Sequence, residues 1–170
     1  MLNEIAKQQL KKAGWYEGRK IDITEQVKFL ENLGYEVFDA AKKFMEEYGE
    51  LDICDRFIGY KNSIGKSHNT TCIKDLFAHI PNREIEKYDL DEEVGQKTIP
   101  VIIFSGEVYV YVAEDGKFYR DLGLLSESSD EIWNDNYGDV SHFLLRWDEI
   151  AEGKPRRINY SPAHKGREYL

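Results

Sequence analysis

The chain has 170 residues, of which 41% are hydrophobic and 32% are charged, and this is the composition of an ordinary globular domain with a core. The composition excludes a disordered chain and a membrane-embedded one. The formal net charge is −9, and this excess of acid disfavours binding to phosphate backbones and to anionic lipid.

The charge is distributed unevenly along the chain. Residues 153–170 carry five basic residues against one acid, a net charge of +4, so the first 152 residues carry −13. We therefore expect one domain over residues 1–152 and a flexible basic tail over residues 153–170. The N-terminal residues lack the apolar run of a signal peptide or a membrane anchor, so we expect a cytoplasmic protein that attracts a basic partner.

Helical periodicity dominates the first 48 residues. Apolar residues recur at helical spacing over residues 2–13, 27–33 and 37–48, and we expect Thr24 to cap the second of these helices. A glycine ends each of the three helices: Gly14, Gly34 and Gly49.

A two-residue period begins at Leu51 and predicts a strand over residues 51–58. Residues 59–69 are polar and predict a loop, and residues 72–77 predict another short strand. An acidic helix is expected next, with Asn82 as its cap and its end before Gly95.

The most strand-like part of the chain follows Pro100. Residues 101–104 and 108–112 are β-branched and aromatic, and Asp115-Gly116 predicts a tight hairpin before residues 117–119. Two further helices are expected, one capped by Ser128 or Ser129 and continuing through Trp133, the other over residues 140–147. The predicted fold is α+β, with a central, mostly antiparallel meander packed by N-terminal and C-terminal helices.

Motifs that would carry chemistry are weak. Residues 59–67 resemble a phosphate-binding P-loop that ends in Gly-Lys-Ser, but they place five residues between the glycines where the motif needs four. The histidines and cysteines lack the spacing of a metal site, and Cys54 and Cys72 are expected to be buried free thiols. No activated nucleophile is indicated, so we expect no catalytic residue, no cofactor and no metal.

Acidic residues interleaved with aromatic ones stand out on both sides of the meander. Protein interfaces favour such aromatic side chains, and the charges steer and select the partner. An equally acceptable interpretation is that the acids form a solvated surface and that Trp133 belongs to the core. The candidate partner-binding residues are Tyr88, Asp89, Asp91, Glu92, Glu93, Asp130, Glu131, Trp133, Asp135, Tyr137 and Asp139.

Several short motifs follow one another along the chain, and their residues are Leu10, Ala13, Gly14, Trp15, Gly18, Arg19, Gly34, Ala41, Phe44, Tyr48, Gly49, Leu51, Gly95, Pro100 and residues 115–119. The order of these motifs resembles the SUKH superfamily of immunity proteins, in particular its third subgroup. The resemblance extends over roughly residues 10–147 and lies in the order of its pieces, none of which is specific alone. The chain lacks the glycine that usually follows Pro100 in the family, and its basic tail is not part of the pattern.

The resemblance implies a compact α+β domain without a catalytic centre that protects a bacterium from toxins, many of which are nucleases. The leading hypothesis is therefore an immunity protein, not an enzyme, that binds a cognate and basic toxin domain and occludes its active site, without binding nucleic acid or membrane. A regulatory or scaffolding interaction module outside toxin systems is the alternative. A small-molecule enzyme that uses Gly65, Lys66 and Ser67 is a third hypothesis.

Overall fold

The computed structural model describes residues 4–58, 64–78, 87–104, 108–121 and 133–134. The helices are α1 (Glu4–Lys12), α2 (Thr24–Asn32), α3 (Asp39–Tyr48), α4 (Ile73–Ala78) and α5 (Lys87–Val94). The strands are β1 (Asp52–Ile58), β2 (Ile64–Thr70), β3 (Thr98–Phe104), β4 (Val108–Ala113), β5 (Phe118–Asp121) and β6 (Trp133–Asn134).

The strands form one sheet in which each strand lies beside its neighbours in the chain, in the order β1-β2-β3-β4-β5-β6. All of the pairings are antiparallel. Among the described residues, Asn69 and Thr70 of β2 pair with Phe104 and Ile103 of β3. The predicted α+β class and the antiparallel meander are confirmed.

Helices α1, α2 and α3 cover one face of the sheet. Their buried apolar side chains and those of the strands form one cluster, in which α3 packs against β3 and β4 and α1 packs against β1. Burial of each large aliphatic side chain contributes about 1.5–3 kcal/mol, so this cluster is the main source of stability. Its fully buried members include Leu10, Leu30, Met45, Ile53, Ile99, Ile102, Val110 and Val112.

A smaller cluster lies on the opposite face of β3 and β4. Because successive residues of a strand point to opposite faces, Tyr109 and Tyr111 lie on the other side of β4 from Val110 and Val112. The two tyrosines pack with Ile103, with Leu76 of α4, and with the half-buried Leu90 of α5. The central strands are therefore buried on both faces.

The junction between α3 and β1 is held by a buried hydroxyl group. Thr71 is fully buried, and its Oγ1 donates a hydrogen bond to the carbonyl of Tyr48 and accepts one from the backbone N–H of Leu51. Gly49 is required here, because a Cβ atom would lie 2.4 Å from the carbonyl oxygen of Met45. Glu50 follows with a φ of 59°, in the left-handed region that side chains other than glycine seldom adopt.

The three N-terminal helices lie where periodicity predicts them, but two details are wrong. Thr24 does not cap α2 with its side chain; Asp22 accepts hydrogen bonds from both the backbone N–H and the hydroxyl of Thr24. Leu33, which was expected on the apolar stripe of the second helix, is 48% exposed because the helix ends one residue earlier.

The segment between β1 and β3 departs most from the prediction. The expected loop over residues 59–69 contains strand β2, and the strand expected over residues 72–77 is helix α4. Gly65, Lys66 and Ser67 thus pair with Phe57, Arg56 and Asp55 in an antiparallel ladder. A P-loop needs its phosphate-binding residues at the start of a helix, so this segment does not have that geometry.

The region after Pro100 matches the prediction closely. Strands β3, β4 and β5 form the expected meander, and Asp115-Gly116 lies in the turn between β4 and β5, with Gly116 at a φ of 82°. A register shift lies between Pro100 and Ile102. Since proline cannot donate to a ladder, an interior strand accepts it at such an irregularity.

Cys54 and Cys72 are free thiols, as predicted, but Cys54 is exposed and Cys72 is half-buried. Burial raises the pKa of the Cys72 thiol to about 11, and the nearby Glu50 adds to this effect. The helix predicted through Ile132 and Trp133 is also wrong at its end, because Trp133 belongs to β6. Asn82, the helix over residues 140–147 and the tail over residues 153–170 lie outside the described residues.

Candidate partner-binding surface

The predicted partner-binding residues fall into two groups in the fold. Tyr88, Asp89, Asp91, Glu92 and Glu93 lie on α5, as expected for an acidic helix before Gly95. Trp133 is paired with Arg120 of β5 at the end of the sheet opposite β1. The remaining residues lie outside the described part of the chain: Asp130, Glu131, Asp135, Tyr137 and Asp139.

Asp91 is committed to the fold. One of its carboxylate oxygens accepts hydrogen bonds from the backbone N–H of Thr98 at 2.7 Å and from the Thr98 hydroxyl at 2.8 Å. Thr98 is buried and begins β3, so Asp91 joins the end of α5 to the sheet. Glu92, the next residue, is exposed. Of these two acids, Glu92 is the one that a partner could contact freely.

Lys97 lies among several carboxylates. Its ammonium group forms an ion pair with Glu36, and its backbone N–H donates to the carboxylate of Glu114 at 3.3 Å. The hydrogen bond to Glu36 raises the pKa of Lys97, and the charges of Glu36, Glu114 and Asp91 add to this. A lysine in this setting partly neutralises the acids and holds them in place.

The turn between β4 and β5 extends this acidic surface. Gln96 and Asp115 exchange two hydrogen bonds, from the Gln96 amide to the carboxylate at 3.2 Å and from the Asp115 backbone N–H to the amide oxygen at 3.1 Å. The backbone N–H of Lys117 donates to Asp115 and lowers the pKa of that carboxyl group, and the Lys117 ammonium group lies 3.0 Å from it.

We name these residues the Lys97 surface. They comprise four acids and two lysines, so the surface carries a net charge of −2. Leu33, an exposed large apolar residue, lies three positions before Glu36 in the chain. The members of the Lys97 surface are Glu36, Asp91, Gln96, Lys97, Glu114, Asp115 and Lys117.

Sequence reasoning missed Glu36 and Glu114. Glu36 is 61 positions from Lys97, and no periodic signal connects the α2–α3 link with the start of β3. Asp115 was recognised only as a turn residue. The signal that could have found Glu114 is the predicted pairing of β3 with β4. Because Thr98 pairs with Ala113, the residues that follow Ala113 lie beside those that precede Thr98.

The carboxylates of the Lys97 surface can recognise positively charged groups of a partner. Within the described ranges, no group of three or more His, Cys, Asp or Glu side chains is arranged to hold a metal ion. The arrangement presents carboxylate oxygens at the surface, and these are acceptors for arginine and lysine side chains of another protein.

A comparison with protein families identifies what kind of chain this is. The family model described as SUKH-3 immunity protein matches residues 2–135. The chain belongs to the SUKH-3 immunity protein family. The resemblance found from motif order is thus confirmed, and membership supports an immunity function in general. No match was found among curated proteins or among solved structures.

The residues that carry the SUKH resemblance near the N-terminus have structural roles. Trp15 is buried, and its ring stacks on Tyr48 with the two planes 1° apart. Arg19 donates a hydrogen bond to the carbonyl of Glu47 at 2.8 Å. Both contacts hold the connector between α1 and α2 against α3, so this motif indicates the fold more than a binding site. No helix of the described chain is long and apolar enough to span a bilayer.

Proposed function

We propose that this chain is an immunity protein that binds a cognate toxin domain in the cytoplasm and neutralises it by covering its active site. The proposal rests on membership of the SUKH-3 immunity protein family and on the Lys97 surface, which offers fixed carboxylates on the protein exterior. The chain acts as a binding partner and not as an enzyme.

Charge favours a basic partner. The whole chain carries −9, and a toxin that acts on nucleic acid has a basic cleft for the phosphate backbone. The carboxylates of Glu36, Glu92 and Glu114 would occupy the places of substrate phosphates against arginine and lysine side chains. Long-range attraction would also accelerate the encounter of the two proteins.

An interface also needs buried apolar area near its centre. Leu33, which is 48% exposed and precedes Glu36 by three positions in the chain, is one described residue that could supply it. The residues predicted on either side of the meander, including Tyr88 and Trp133, are further candidates for this role. The Lys97 surface would then form the polar rim.

The test is a binding and protection assay with the toxin encoded beside this gene. The variant Glu36→Lys reverses a charge on the Lys97 surface. Glu25→Lys is the matched control, because Glu25 is also exposed and ion-paired, but its partner at 3.1 Å is Lys28 of α2, which is not a member of this surface. We expect Glu36→Lys to weaken toxin binding at least about tenfold, as a repulsive charge at an interface does, and Glu25→Lys to leave it unchanged.

Two results would contradict the proposal. If cells expressing the toxin die equally with and without this protein, the chain is not its immunity protein. If both charge reversals weaken binding equally, only the total charge matters and the Lys97 surface is not the contact.

A further inference from the structure

Strand β1 is one edge of the described sheet. It pairs with β2 along its whole length, from Asp52 opposite Thr70 to Ile58 opposite Ile64, without a register shift. Among the residues that the structure describes, no strand lies on the other side of β1. A long, regular edge strand without proline is a template for the addition of another strand.

The backbone hydrogen bonds show which groups β1 offers on its outer side. The N–H of Thr71 donates to the carbonyl of Leu51 at 3.0 Å, and the N–H of Leu51 faces the Thr71 hydroxyl. Residues 51 and 71 are therefore a hydrogen-bonded pair, and in an antiparallel ladder such pairs recur at every second residue. The odd-numbered residues of β1 bond to β2, so the even-numbered residues direct their N–H and C=O groups outward.

The side chains of Asp52 and Cys54 also lie on the open face of the sheet. Ile53 is buried under α1, whereas Asp52 and Cys54 are exposed. The Asp52 carboxylate is hydrogen bonded to His68, which lies opposite Cys54 on β2. The even-numbered positions along this edge are 52, 54 and 56, with the residue types Asp, Cys and Arg.

This pattern is complementary to itself. We infer that β1 pairs antiparallel with β1 of a second copy of this chain, in a register centred on Cys54. A two-fold axis through that position places Asp52 of each copy opposite Arg56 of the other, on both sides of the central pair. All three pairs are hydrogen-bonded pairs, since they involve the outward-directed backbone groups. Opposite charges at facing positions favour this register over registers that are shifted along the strand.

The dimer is expected to be weak. One strand pairing buries less than the roughly 1,000 Å² that a stable interface needs, and two acidic bodies repel at long range. Association should therefore be visible by sedimentation only at high concentration, from about 100 µM upward, and it should be trapped by a disulfide. The central Cα atoms would lie about 5.5 Å apart, a separation that a disulfide can bridge.

Charge reversal tests the register with the full chain. Asp52→Arg places arginine opposite arginine, and Arg56→Asp places aspartate opposite aspartate, so each variant alone should associate at least about tenfold more weakly than wild type. An equimolar mixture of the two should form heterodimers, and the double variant D52R/R56D should associate like wild type. Oxidation should link Cys54 in wild type and in the mixture, but not in either single variant or in Cys54→Ser.

The outcomes separate this inference from the proposed function. Restored association in the mixture and in the double variant supports the β1 dimer, even if no toxin is bound. If wild type stays monomeric up to about 1 mM and oxidation yields no dimer, β1 does not pair with a copy of itself. If Asp52→Arg instead abolishes toxin binding by a monomeric wild type, the edge belongs to the toxin and the dimer is excluded. Circular dichroism of each variant verifies its fold.

Discussion

Two polar arrangements of this protein have similar chemistry and opposite surroundings. At the α3–β1 junction, one buried threonine hydroxyl bonds to the backbone of Tyr48 and Leu51. On the Lys97 surface, an ion pair and several carboxylates lie in water, with Glu36 77% exposed. Burial determines how much each arrangement contributes to stability. A buried polar group that loses its partner costs free energy, whereas an exposed group that loses its partner bonds to water instead. The junction should therefore carry stability and the surface should carry recognition.

The largest effect is expected at Gly49, within the junction. In Gly49→Ala the new Cβ atom would lie 2.4 Å from the backbone oxygen of Met45, so the last turn of α3 must shift. We expect a loss of about 3 kcal/mol in the free energy of unfolding, measured by urea denaturation. Gly14→Ala is the control, because its Cβ meets open space and only the φ of 97° opposes it; it should cost about 1–2 kcal/mol. Equal losses of stability in Gly49→Ala and Gly14→Ala would show that the close approach of the Met45 carbonyl oxygen does not matter.

The next effect is expected at Thr71. Thr71→Val keeps the shape of the side chain but leaves the Leu51 N–H and the Tyr48 carbonyl without their partner, at a cost of about 2 kcal/mol. Thr71→Ser keeps the hydroxyl and should recover part of this loss. Thr24→Val removes an exposed hydroxyl bonded to Asp22 and should leave the urea midpoint unchanged. A Thr71→Val variant as stable as wild type would contradict the role given to the junction.

Asp91 is an intermediate case between the two regions. It belongs to the acidic helix α5, but its carboxylate accepts two hydrogen bonds from the buried Thr98. Asp91→Ala should cost about 1–2 kcal/mol, whereas Glu92→Gln on the same helix should cost nothing measurable in a thermal or urea melt. If the two variants were equally stable, Asp91 would be one more solvated acid and not a link between α5 and β3.

The smallest effect on stability is expected from the Lys97–Glu36 pair. Both groups are exposed, so Glu36→Gln should not shift the urea midpoint at neutral pH, although the charge reversal at Glu36 weakens toxin binding. The pKa of Lys97 is raised in the fold. Any stabilisation by the pair is therefore fully present below the ordinary lysine pKa and is lost as the pH rises through the raised value. A clear loss of stability of Glu36→Gln at pH 7 would show that this ion pair contributes to stability, as the buried junction does.

The sequence predicts the elements that have a strong period. Helix α3 and strands β3 and β4 bury apolar side chains that repeat at their own spacing, and α1 and α2 add the buried Leu10 and Leu30. Strand β2 lacks such a stripe, because its sequence IGKSHNT is polar and its place in the sheet comes from pairing with β1. Ile73 and Leu76 are both buried and three positions apart, which is a helical spacing, but α4 has only six residues and is too short to show a clear period.

The candidate site was predicted only in part. The acidic helix before Gly95 was expected and is present, but the engagement of Asp91 with Thr98 depends on how α5 meets β3. Glu36 and Glu114 reach Lys97 from other elements of the fold, so no local pattern could have joined them. Local periodicity determines elements, and the contacts of the Lys97 surface depend on tertiary structure.

The pairing of β2 with β3 has a consequence for folding. Its described pairs, Asn69 with Phe104 and Thr70 with Ile103, join residues 35 and 33 positions apart (104 − 69 and 103 − 70), whereas the β1–β2 and β3–β4 hairpins begin with Ile58 opposite Ile64 and Phe104 opposite Val108. Each hairpin can therefore form early from contacts that are close in sequence, and joining the two is the step that closes a long loop. Amide hydrogen exchange should detect two cooperative units that open separately, with the boundary between Thr70 and Ile103.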